Sequence, residues 1–118
     1  MIEELKKLQD DLALVDLMTS NKRGSLLEVL LKDLQTVKLR MEQDKNHKMP
    51  HLHVSYGKTQ HAASYGIQNG ERIVGQLDNK YDKVVKKWIT DNQTQLLQIW
   101  GEIQSGDSKA YNLSIGKL

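Results

Sequence analysis

Two histidines separated by one residue, His51 and His53, stand in the most distinctive stretch of the chain, Lys48-Met49-Pro50-His51-Leu52-His53-Val54-Ser55-Tyr56-Gly57. On a strand, positions i and i+2 share a face about 6–7 Å apart, a spacing that one cation could bridge. A substrate phosphate could equally sit there between a general acid and a general base, with Tyr56 as a third catalytic candidate. A divalent metal would need a third ligand, for which His61 on the next strand, His47 just upstream, or a carboxylate such as Glu71 or Asp78 are available. Whether His61 qualifies depends on loop parity: an even loop pairs it with Tyr56 on the opposite face, and an odd loop brings it beside His53. The structural alternative is that both histidines satisfy backbone groups where helix gives way to strand. No cofactor is otherwise implied, since the chain has no glycine-rich phosphate loop, nucleophile elbow or zinc-protease motif.

Other residue types suggest other partners. Lys80, Lys83 and Lys87 form a basic helical stripe, with Lys86 beside it. With Lys58 they could hold nucleic-acid phosphate, while Tyr56, Tyr65 and Tyr81 could stack bases. Basic faces of small helices are usually just solvated. Trp88 and Trp100 could form a stacking pair, yet both fall on the apolar stripe of their helices, as core anchors do. Leu27, Leu30, Leu31 and Leu34 make an apolar face broader than one partner helix covers, suited to a protein partner or to a second copy in a homodimer.

The elements that position these residues follow from periodicity. Ile2, Leu5, Leu8, Leu12, Val15 and Met18 predict a helix over about 2–20. Ser25 and Glu28 have capping-box spacing and open a second helix carrying Leu27, Leu30, Leu34, Val37 and Met41, the two forming an N-terminal helical hairpin. Pro50 forbids its continuation. Strands are predicted at 51–56, 61–67 and 72–77, with Asn69-Gly70 as a hairpin signal. Helical spacing returns at Tyr81, Val84, Val85, Trp88 and Ile89, breaks at Asp91-Asn92, and resumes from Leu96 to Ile103, leaving an irregular tail from Gly106. The expected fold is α+β: a helical hairpin (1–47), then a unit (48–118) of a three-stranded antiparallel meander with two C-terminal helices packed on the sheet.

Composition bounds the function. The 118 residues suit one compact domain, and 38% hydrophobic with 27% charged residues exclude collagen-like and fully disordered classes. Zero cysteines remove disulfides, thiol catalysis and cysteine zinc sites. The net charge of +2 gives no strong drive toward nucleic acid: residues 1–48 hold nine basic and nine acidic side chains, and 49–118 hold eight and six. With no apolar run near the roughly 20 residues that span a bilayer, and acidic residues at Met1-Ile2-Glu3-Glu4, a cytoplasmic protein without membrane contact is expected.

Pro50-His51-Leu52-His53-Val54, Tyr56-Gly57, Gly75-Gln76-Leu77, Val85 with Trp88, and Leu96-Leu97 with Trp100 together resemble, over roughly residues 48–105, the small bacterial domain-of-unknown-function family number 4160. Leu52 stands where that pattern usually has an aromatic, Asp78 where proline commonly follows Gly-x-Leu, and the stretch from Tyr56 to Ala63 is longer. Residues 1–47 resemble an extension that some members carry. The resemblance implies a small bacterial protein often encoded beside another, in a toxin–antitoxin-like or phage-defence module. It carries His51, His53, Tyr56, Gly57, Gly75, Trp88 and Trp100 over as signature positions. The leading expectation is a cytosolic interaction module that binds a protein partner. The alternatives are a small ribonuclease or metal-dependent phosphodiesterase using His51 and His53, and a non-catalytic nucleic-acid binder.

Overall fold

The structure, a computed structural model, describes residues 3–19, 37–43, 49–57, 61–107, 109–110 and 113–114. Helix α1 spans Glu3–Thr19 and is followed by four strands, β1 (Lys38–Arg40), β2 (His51–Tyr56), β3 (His61–Gly66) and β4 (Arg72–Gly75). A 3-10 turn at Asn79–Tyr81 leads into α2 (Asp82–Asp91), and α3 follows at Gln93–Ser105. The strands form one antiparallel sheet in the order β1-β2-β3-β4. The fold class is α+β as expected, but among the described residues the sheet has four strands where the sequence predicted three.

The extra strand corrects the second helix of the predicted hairpin. Residues 20–36, which carry most of that helix, lie outside the described residues. Its last turn is extended: Val37 is buried, Leu39 and Met41 pack against the core, and Lys38 and Arg40 are exposed. That alternation is the period-two signature of a half-buried strand. Lys38 pairs with Ser55, Leu39 with Val54 and Arg40 with His53. The Val37 N–H donates to Gln9 Oε1 at 3.3 Å, tying the strand entry to α1.

On β2 the period is regular: Leu52, Val54 and Tyr56 are buried, and His51, His53 and Ser55 are half-buried on the other face. The β3–β4 connection has the hairpin chemistry its Asn69-Gly70 announces. Gly70 adopts φ +69°, its N–H donates to the Gly66 carbonyl at 2.8 Å, and Asn69 Oδ1 accepts from the Glu71 N–H at 2.9 Å. A register shift opposite Ser64 and Tyr65 marks a bulge in this pair. At Gly75 (φ +142°) a Cβ would lie 2.3 Å from Ala63 Cα, so β4 closes onto β3 where only glycine fits.

Asp78 caps the 3-10 turn by accepting from the Lys80 N–H at 2.9 Å. Asn92 separates α2 from α3: its N–H and side-chain amide both donate to the Trp88 carbonyl, and its own carbonyl accepts from Leu96. Gly106, left-handed at φ +78°, ends α3, with Asp107 N–H donating to the Glu102 carbonyl at 3.1 Å. Beyond it residues 109–110 and 113–114 are helical, against the irregular tail expected. The core joins Leu8 and Leu12 of α1, Leu52, Val54, Tyr56 and Tyr65 of the sheet, and Val85, Trp88, Ile89, Leu96, Ile99 and Trp100 of α2 and α3. Among the described residues no helix is long and apolar enough to cross a membrane.

Candidate functional site

The two faces of the sheet hold different chemistry, and β2 divides it. His51 and His53 do share a face, with ring centroids 5.4 Å apart in an edge-on arrangement. His51 donates through Nδ1 to the Met49 carbonyl at 3.1 Å, and its ring lies 5.0 Å from that of Trp100 on α3. His53 Nδ1 is 2.8 Å from Ser64 Oγ, the residue directly across on β3. Arg40 is the cross-strand neighbour of His53 on its other side. Arg40, His53 and Ser64 therefore form one row across three strands, with His51 one pleat away.

Tyr56 does not belong to this group. It stands on the opposite face of β2, buried, and donates its hydroxyl to Asp16 Oδ2 of α1 at 3.0 Å. Tyr81 donates to the other oxygen of the same carboxylate, and Lys80 Nζ lies 3.5 Å from it. Burial, followed by the hydrogen bond to Asp16, pushes both phenols well above their ordinary range. Tyr65 repeats the design across the sheet: its hydroxyl donates to Asp82 Oδ1 at 2.6 Å, and Arg72 grips both oxygens of Asp82. Burial and that bond raise the Tyr65 phenol likewise. Base stacking by Tyr56, Tyr65 and Tyr81 is thus overturned, because all three rings are in the core and their hydroxyls bind helix carboxylates.

Among the described histidines no third metal ligand joins His51 and His53. His61 pairs directly with Tyr56, so it shares the Tyr56 face and is separated from His53 by the sheet itself. No three His, Asp or Glu side chains converge to hold a metal ion among the described residues. His47 lies outside them, as do Lys58 and the partner-binding candidates Leu27, Leu30, Leu31 and Leu34.

The lysine stripe is largely neutralised. Lys80 is engaged by Asp16, by Thr19 Oγ1 at 3.2 Å and by the Tyr81 ring. Lys86 pairs with Glu71, and Lys87 pairs with Asp91 at 2.6 Å one helical turn on. That last contact raises the Lys87 ammonium and lowers the Asp91 carboxyl from their ordinary values. Lys83 is exposed. A cavity of about 110 Å³ between α1 and α2, lined by Val84 and Trp88, takes in Lys87 of the basic stripe. Trp88 itself is a core anchor whose indole N–H donates to the Glu4 carbonyl at 2.7 Å, and Trp100 is buried likewise.

A family model described as domain of unknown function (DUF4160) matches residues 36–101. The chain belongs to the DUF4160 family. The match opens just before β1 and closes within α3, so the DUF4160 unit includes the first strand that the sequence had assigned to the hairpin, while α1 precedes it. No curated protein and no solved structure matches the chain. Two residues of the DUF4160 unit beside the histidines, Arg40 and Ser64, escaped sequence reasoning. Ser64 had a signal in loop parity, since the four residues 57–60 pair Tyr56 with His61 and so His53 with Ser64.

Proposed function

We propose that the chain is a cytosolic bacterial interaction module, one component of a toxin–antitoxin-like or phage-defence pair, that binds its protein partner by strand addition at the outer edge of β4. The observation that carries this is the exposure of two adjacent β-branched residues there, Ile73 at 50% and Val74 at 66%. Globular proteins usually blunt an outer strand with charge, proline or a cover, because its backbone is a template for another chain. β4 has a bulge, yet its centre is apolar and open to solvent. An extended partner segment would gain main-chain hydrogen bonds and bury both side chains. The family resemblance supports a pair because its members are often encoded beside a second small protein.

Co-expression with the product of the adjacent reading frame, followed by affinity purification and size-exclusion chromatography, tests this. A one-to-one complex is expected for the natural chain, and Ile73→Lys with Val74→Lys should abolish it without changing the melting curve. A complex that survives the double substitution but is lost in Leu30→Asp would move the interface to the leucine segment and overturn the edge assignment. A chain that ignores its neighbour altogether would overturn the pair.

A further inference from the structure

The turn between β3 and β4 holds a reactive pair. Asn69-Gly70 is the only Asn-Gly dipeptide in the sequence. Asparagine is thermolabile, and a following glycine has no Cβ to hinder its backbone nitrogen from reaching the asparagine side chain. The fold treats the two members differently: Asn69 is exposed, whereas Gly70 is buried. The Gly70 N–H donates to the Gly66 carbonyl at 2.8 Å, and Asn69 Oδ1 accepts from the Glu71 N–H at 2.9 Å. Gly70 is also seated on α2, where a Cβ would lie 2.8 Å from Lys86 Cγ and 3.1 Å from the Lys86 carbonyl oxygen. Further ties reach the turn from the helices. Gln93 Nε2 donates to the Ile67 and Gln68 carbonyls, and Lys86 pairs with Glu71.

We propose that Asn69 is a deamidation site that this turn keeps closed, so that the chain is modified only through states in which the turn has opened. The nucleophile is the Gly70 backbone nitrogen. It bonds to Asn69 Cγ and gives its proton to water, while the side-chain nitrogen takes up a proton and leaves as ammonia, closing a cyclic imide. Water then opens the imide at either carbonyl, to aspartate or to isoaspartate. Across both steps water is consumed and ammonia released, with no change of oxidation state. In the folded turn the Gly70 nitrogen is buried and its proton is bonded to Gly66, so attack awaits opening. Isoaspartate routes the main chain through Cβ and Cγ. A main chain lengthened there cannot keep Gly70 on Lys86 together with the Gly70 and Glu71 bonds to Gly66. An opening event thus leaves a mark that stops the turn from re-forming.

The full chain is incubated in mildly alkaline buffer, folded and in guanidinium, and the peptide containing residue 69 is followed by mass spectrometry, with isoaspartate quantified by enzymatic methylation. Deamidation at Asn69 should be at least about tenfold slower in the folded chain, because opening precedes attack. Gly70→Ala should slow it in guanidinium, where the folding of the variant has no bearing. Gln93→Ala, which removes two ties, should raise the folded-chain rate and leave the rate in guanidinium unchanged. After dilution from guanidinium the isoaspartyl fraction should fail to regain the native melting curve, whereas Asn69→Asp, whose carboxylate can still accept from the Glu71 N–H, should refold. Equal rates in the two conditions, or a faster rate in the folded chain, would overturn the protection. An Asn69 that stays intact in guanidinium would overturn the site, and an isoaspartyl chain that melts like the natural one would overturn the mark. None of these readouts requires a partner, so the result stands apart from strand addition at β4.

Discussion

The two faces of β2 use polar residues in opposite ways. Toward α1 and α2, tyrosine hydroxyls meet carboxylates, Tyr56 with Asp16 and Tyr65 with Asp82, and both phenols come from residues at most 2% exposed. Such bonds are made in a poorly hydrated setting, where an unmade partner is costly, so their chemistry is committed to holding helices on the sheet. On the other face His51, His53 and Ser55 are half-buried, and Arg40 extends into water. Polar groups there keep partial access to solvent. One strand of six residues thus separates polarity committed to the core from polarity left half-exposed.

The largest expected break of this contrast is between neighbours on β2. Leu52→Ala should destabilise the chain by about 2–5 kcal/mol in urea unfolding, whereas His53→Ala, at a half-buried position, should cost clearly less, on the scale of about 1 kcal/mol per hydrogen bond lost. Equal losses would mean that the open face is also core. Alkaline unfolding probes the covered face next. Its phenols stay protonated in the folded chain above the pH at which they ionise when unfolded, so unfolding releases protons there. Stability should be intact below about pH 10 and fall as pH rises beyond it. The fall should be shallower in a Tyr56→Phe, Tyr81→Phe chain, and an identical slope would remove the Asp16 clamp as its cause. The smallest effect belongs to the solvated side of α2, where Lys83→Ala should change stability by less than about 0.5 kcal/mol.

Much of the fold was legible because its elements are long enough for their periods to show. The alternation from His51 to Tyr56 gave β2 its bounds, Asn69-Gly70 gave the hairpin turn, and Asp91-Asn92 gave the break between α2 and α3. β1 was hidden because three residues carry too little alternation, and because Val37 and Met41 also continue a three-and-four spacing from Leu34. The histidine pair was readable from parity alone. So, in principle, was the exclusion of Tyr56, which differs from His51 and His53 by an odd number of residues. Ser64 was open to the loop-parity argument, whereas Arg40 joins the histidines only through the register of β1 on β2, a tertiary property that composition and spacing do not encode. The charge of the lysine stripe misled for a related reason: Asp16 and Glu71, which partner Lys80 and Lys86, are distant in sequence.

The attachment of α1 has a consequence in time. Its partners are Tyr56, Lys80, Tyr81 and Trp88, and the bond from Trp88 reaches back 84 residues to Glu4. A ribosome adding about 5–20 residues per second makes Trp88 about 4–17 s after Glu4. Helix α1 is therefore made well before the elements it docks on. During that interval Leu8 and Leu12, both fully buried in the finished fold, have no sheet to cover them. Translation speed between α1 and Trp88 therefore sets how long Leu8 and Leu12 stay open to water.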